Sequence, residues 1–112
     1  MIAYERGNIV LVSFVFSDES GAKRRPALII SSDAYHRARQ DVIVSAITSN
    51  TRRRVFGDHI IADWKSAGLL YPSVATGILR TIKETMIARR LGSMTEPDLE
   101  AIDRGLRRAL RL

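Results

Sequence analysis

The alternation of apolar and polar positions divides this chain into a strand-rich front and a helical tail. Residues 8–16 (NIVLVSFVF) are rich in β-branched and aromatic side chains and predict a first strand. Residues 17–23 (SDESGAK) read as a polar loop containing Gly21. Residues 25–31 (RPALIIS) predict a second strand, with Pro26 at its start, where a missing N–H is tolerated. Residues 33–39 predict one short helical turn capped by Ser32 or Asp33. Residues 41–48 (DVIVSAIT) predict a third strand, central by its apolar content, and a basic loop (SNTRRRVF) follows at 49–56. A fourth strand is expected at 57–62, then a turn or brief helix at 63–71 ended by Pro72. Residues 73–82 (SVATGILRTI) predict a fifth strand, in which Gly77 marks a bulge or a close backbone approach.

Residues 85–91 read as a short helix closed by Gly92. The tail is a clearer helix. Thr95 stands at its N-cap, Asp98 takes the capping-box position, and Pro97 sits harmlessly in the first turn. Leu99, Ile102, Leu106, Ala109 and Leu110 then fall on one face, which must pack on the sheet or on a second subunit. Acids lead this helix (Glu96, Asp98, Glu100) and arginines end it (Arg107, Arg108, Arg111), as the helix dipole favours. Five or more short strands with a C-terminal helix predict a mainly β, α+β fold: a strongly bent antiparallel sheet or partly open small barrel. The length of 112 residues fits a single domain.

Charge adds the first functional hint. Eighteen Lys and Arg against twelve Asp and Glu leave a formal charge of +6, which favours a polyanionic partner, nucleic acid before membrane. The chain has no cysteine, which excludes disulfides and thiolate metal sites and suits a reducing compartment. No signal peptide is expected at the N-terminus, and no apolar run is long enough to span a membrane.

The candidate chemistry narrows quickly. His36 and His59 are the only histidines, without the spacing of a metal motif, so no metal or other cofactor is expected. No G-x-S-x-G elbow, P-loop or G-x-G-x-x-G is present. What remains is a set of arginines and hydroxyls at strand ends. Lys23, Arg24 and Arg25 open the second strand; Thr48, Ser49 and Asn50 close the third; Arg52, Arg53 and Arg54 follow in the next loop, with Phe56 beside them. Taken singly, each arginine reads as solvated loop charge. If strands two and three are neighbours, however, Arg25 and Thr48 share one cleft with a basic rim.

These residues carry a family resemblance. The stretch GNIVLVSFVFSDESGAKRRPALIIS (residues 7–31) resembles the N-terminal signature of the MazF/PemK toxins, including its K-x-R-P motif at Lys23-Arg24-Arg25-Pro26. DVIVSAITSN (41–50) resembles that family's strand ending in I-T-S, AGLLYPSVATGILRTI (67–82) its G-L-x-x-P-S-x-V strand with trailing R-T-I, and residues 89–112 its tail helix. The blocks occur in order over nearly the whole chain. The resemblance implies an SH3-like barrel, a homodimer, a cognate antitoxin and a cytoplasmic setting. It also implies metal-independent, sequence-specific cleavage of single-stranded RNA to 2′,3′-cyclic phosphate and 5′-OH ends. By the same resemblance Arg25 and Thr48 are the catalytic pair. Lys23, Arg24, Ser49, Asn50, Arg52, Arg53, Arg54 and Phe56 are the expected RNA contacts.

The chain departs from the pattern at Asn8, where many members are acidic, at Ala46, where many have Pro, and at Gly77, where some are acidic. A carboxylate base from position 77 is therefore not available, and Glu19 or Asp18, in the loop before Arg25, becomes the acid/base candidate. The alternative is a non-catalytic module of the same barrel, either a CcdB-like gyrase binder or an inactive family member, because fold alone does not fix activity.

Overall fold

The computed structural model describes residues 3–15 and 22–112. Six strands form one sheet in the order β4-β5-β3-β2-β1-β6, all neighbours antiparallel: β1 (Asn8–Val15), β2 (Ala22–Ile29), β3 (Asp41–Thr48), β4 (His59–Ile60), β5 (Val74–Lys83) and β6 (Ile87–Ser93). Helix α1 (Asp33–Arg39) joins β2 to β3, and α2 (Glu96–Leu110) ends the chain. The sheet is bent and not closed, with β4 and β6 as its edges, which matches the expected partly open barrel.

Strand alternation sends successive side chains to opposite faces, so the sheet carries two cores. Ile9, Leu28, Ile47 and Ala75 point one way and are covered by Ile61, Ala67, Leu69, Met94 and Ile102 of the following segments and α2. Val10, Val12, Ala27, Ile29, Val42 and Val44 point the other way and meet Ile82 and Ile87. Full burial of one such aliphatic side chain is worth about 1.5–3 kcal/mol, so these two rows dominate the stability. Leu99 and Leu106 of α2 pack on the first core, whereas Leu110 at its end stays half exposed.

Local chemistry explains the elements. Ser32 caps α1 by accepting the Tyr35 N–H at 3.2 Å, and Gln40 closes it in the left-handed region. His36 is buried at 2.6 Å from the Ser31 hydroxyl, which also accepts the Ile43 N–H, so this histidine ties α1 to β3. Gly68, with φ of +91° in the turn segment between β4 and β5, and Gly92 of β6 lie against each other's backbone. A Cβ on Gly68 would stand 2.3 Å from the Leu91 carbonyl oxygen, and one on Gly92 2.2 Å from that of Ala67. Only glycine allows this approach, which seats Ala67 and Leu69 on the core.

Three expectations need correction. Residues 85–91 do not form a helix: a single 3₁₀ turn (Glu84–Met86) leads into β6, which pairs with β1. The fourth strand is only His59–Ile60, not 57–62. β2 begins at Ala22 rather than at Arg25, so Pro26 lies within it, opposite Leu11 of β1.

Candidate active site

The gap between β2 and β3 follows from where their ladder ends. Ala27 pairs with Ala46, Leu28 with Ser45 and Ile29 with Val44, and the pairing stops there, next to Pro26. Beyond that point β2 continues on β1 while β3 continues on β5. Carrying the register two residues further sets Arg25 opposite Thr48, on the face that holds Val12, Ala27 and Val44. Arg25 is exposed and Thr48 partly buried, and both lie beyond the last residues that β2 and β3 pair with each other.

Thr48 is held by the loop it opens. Its Oγ1 accepts the Asn50 N–H at 3.1 Å and keeps its own proton to donate. The Asn50 Oδ1 in turn accepts the Arg52 N–H at 3.2 Å. The Arg25 guanidinium has no carboxylate partner among the described residues, so its charge is available to an anion.

The basic loop is not uniform. Arg52 is exposed and makes no side-chain ion pair among the described residues. Arg54 folds back on the carbonyls of Thr51 and Arg53. Arg53 is bound at 2.6 Å to Asp58, whose carboxylate is 6% exposed and also accepts the Gly77 N–H at 3.1 Å. The fold thus spends Arg53 on fixing the loop. Lys23, Arg24, Ser49 and Asn50 are exposed, and the Phe56 ring is 74% exposed. Asp18 and Glu19 lie outside the described residues. Of the other aromatics, Trp64 packs on the first core and Tyr71 is exposed.

Gly77 is the bulge its sequence suggested. A step of two residues along β3, from Ser45 to Ile47, matches a step of four along β5, from Leu79 to Ala75. The Ser45 hydroxyl donates to the Thr76 carbonyl and the Thr76 hydroxyl to that of Ala46, which stitches the bulge shut.

Sequence reasoning missed a second constellation. A groove of about 460 Å³ lies between residues 57–59 and α2, lined by Asp58, His59, Arg104, Arg107 and Arg108 among others. Asp98 beneath it does more than the capping box predicts. It takes His59 Nε2 at 2.7 Å and the backbone N–H groups of Ala62 and Asp63 at 2.9 Å each, while Thr95 donates its hydroxyl to this carboxylate rather than accepting a helix N–H. Burial pushes the Asp98 carboxyl up, but these hydrogen bonds and the His59 charge outweigh it and hold the group below its ordinary value. No local pattern announces this role, because its partners are remote in sequence.

Comparison with known proteins agrees with this architecture. Residues 5–110 match the family described as PemK-like, MazF-like toxin of type II toxin-antitoxin system. Endoribonuclease MazF6 of Mycobacterium tuberculosis is 35% identical over 99 residues, 86% of each chain, and Endoribonuclease MazF2 of Mycobacterium bovis matches equally. Among solved structures, a mycobacterial endoribonuclease in complex with its cognate antitoxin superposes with a TM-score of 0.76 at 24% identity, over 98% of this chain and 97% of that one. A MazE-MazF crystal structure from Deinococcus radiodurans gives a TM-score of 0.80 at 18% identity, over 97% and 96%. With a family match over nearly its whole length and relatives of this identity, the chain belongs to the PemK-like, MazF-like toxins of type II toxin-antitoxin systems.

Proposed function

We propose that this chain is an endoribonuclease toxin that cuts single-stranded RNA at short sequence motifs without a metal. What supports this most is the β2–β3 register, which carried two residues past its last pair brings the positions of Arg25 and Thr48 opposite each other, in a chain whose relatives are named endoribonucleases.

RNA brings its own nucleophile. The 2′-oxygen attacks the adjacent phosphorus, its proton passes to a base, the bond from phosphorus to the 5′-oxygen breaks, and that oxygen takes a proton. The products are a 2′,3′-cyclic phosphate and a 5′-OH end. Arg25 is assigned to the charge on the phosphoryl oxygens, because its guanidinium is planar, permanently charged and able to bind phosphate with two N–H groups. Its high pKa makes it a poor resting base. Thr48, whose hydroxyl retains its proton, donates to the phosphate or orients the 2′-OH. Asp18 or Glu19 is the proposed base. Lys23, Arg24, Ser49, Asn50, Arg52 and Phe56 are the RNA contacts, Phe56 by stacking on a base. Arg53 and Arg54 shape the loop that presents them.

A toxin of this kind requires restraint. The expected partner is an acidic antitoxin segment laid over the basic cleft, with a homodimer as the working form and the cytoplasm as its place. Among the described residues no helix is long and apolar enough to cross a membrane. The test is direct: purified protein is incubated with single-stranded RNA in EDTA, and the ends are identified. Cyclic phosphate ends from the parent, and none from Arg25→Ala, support the reading. Intact RNA across varied sequences returns the weight to a non-catalytic module.

A further inference from the structure

The groove between residues 57–59 and α2 lies away from the cleavage mouth. Ile102 on its wall belongs to the α2-side core, whereas Arg25 continues the row of Val12 and Ala27 on the other face. Its cations are unusually available. Arg104, Arg107 and Arg108 share one stripe of α2 at helical spacing, all are exposed, and among the described residues none has a carboxylate or hydrogen-bond partner. The groove's own acid does not offset them, because Asp58 is committed to Arg53 and to the Gly77 N–H. Asp103 is likewise committed to Arg6. Gly57 and Gly105 keep the floor low. Phe56, next in sequence to Gly57, presents an exposed ring.

We propose that this groove is a second contact for single-stranded RNA, taking phosphodiester groups of the strand outside the cleavage site on Arg104, Arg107 and Arg108. The inference rests on the endoribonuclease reading for its choice of polyanion. Guanidinium forks match phosphate oxygens, and an exposed aromatic beside a basic groove is the arrangement single strands use. Phe56, the stacking residue of the proposed function, is next in sequence to Gly57 of this groove, so a strand stacked there has the groove beside it. A short oligomer fills only the cleavage cleft; a longer one also reaches the α2 groove.

The test compares binding of uncleavable 2′-O-methyl RNA of about 6 and about 24 nucleotides to the parent and to R104Q/R107Q/R108Q. Three lost phosphate contacts predict a salt slope for the long oligomer shallower by about 2, and an affinity lower by about tenfold or more near 50 mM salt. The short oligomer's affinity stays within about twofold. R104K/R107K/R108K, which keeps the charge, restores most of the slope. Equal affinity and slope for parent and glutamine variant overturn the proposal, as does an equal loss for both lengths. Retained RNA binding with lost binding of a polyglutamate peptide assigns the groove to an acidic protein instead and also overturns it. A parent that binds the long oligomer through these arginines yet cleaves no RNA sinks the nuclease reading alone.

Discussion

The β2–β3 register, carried two residues past its last pair of Ala27 and Ala46, sets the position of Arg25 opposite that of Thr48. One residue supplies fixed positive charge, the other a hydroxyl whose oxygen accepts the Asn50 N–H and whose proton is left to donate. The same register that builds the core therefore sets the spacing of the proposed reacting groups.

Replacing Thr48 separates hydroxyl chemistry from strand packing. Thr48→Val keeps the β-branched shape but removes the donor and the acceptor for Asn50. A fall in kcat of about ten- to a hundredfold with little change in KM is expected, and Thr48→Ser should recover most of it. Steady-state cleavage of one fluorogenic RNA measures all three proteins.

Asp98 should govern stability at neutral pH. Its folded carboxyl lies below the ordinary value, so it contributes stability above the unfolded pKa of about 3.9 and loses it as pH falls through the lower folded value. Asp98→Asn is expected to cost about 2–4 kcal/mol at pH 7, since it weakens the hold on His59, Ala62 and Asp63 together. Urea melts should show that deficit shrinking below pH of about 4.

Much of this fold is legible in the sequence, and the gaps have physical causes. β3 and α2 were plain because a central strand is rich in apolar residues (Val42 to Val44, Ala46 and Ile47) and an amphipathic helix repeats its stripe. β6 was not, because this edge strand buries Ile87 alone and exposes Ala88, Arg89 and Arg90, leaving no alternation to read. Arg25 and Thr48 were found through motif blocks, since the cleft itself depends on a ladder ending that no local pattern encodes. For the same reason Arg52 and Arg53 looked alike, although Arg52 is exposed with no ion pair among the described residues and Arg53 is locked to Asp58.

Two glycines should respond with opposite signs. Gly68→Ala forces a Cβ to 2.3 Å from the Leu91 carbonyl oxygen at a φ of +91°, so a loss of about 3 kcal/mol or more is expected. Gly105→Ala, inside α2 and 4.0 Å from the nearest backbone oxygen, should stabilise by about 0.5–1 kcal/mol. Thermal melts followed by circular dichroism rank both against the parent.

The Arg53–Asp58 pair should couple. With Asp58 nearly buried, a double-mutant cycle of Arg53→Gln and Asp58→Asn should give an interaction of about 1–3 kcal/mol in chemical denaturation. Additive effects would mean that the contact does not hold the loop.

The central claim is that Arg25 acts on the transition state. Single-turnover cleavage by Arg25→Ala, beside its affinity for an uncleavable RNA, measures this most directly. The rate should fall by about a hundred- to a thousandfold while affinity changes by less than about tenfold. An Arg25→Ala protein that cuts at the parental rate contradicts the account.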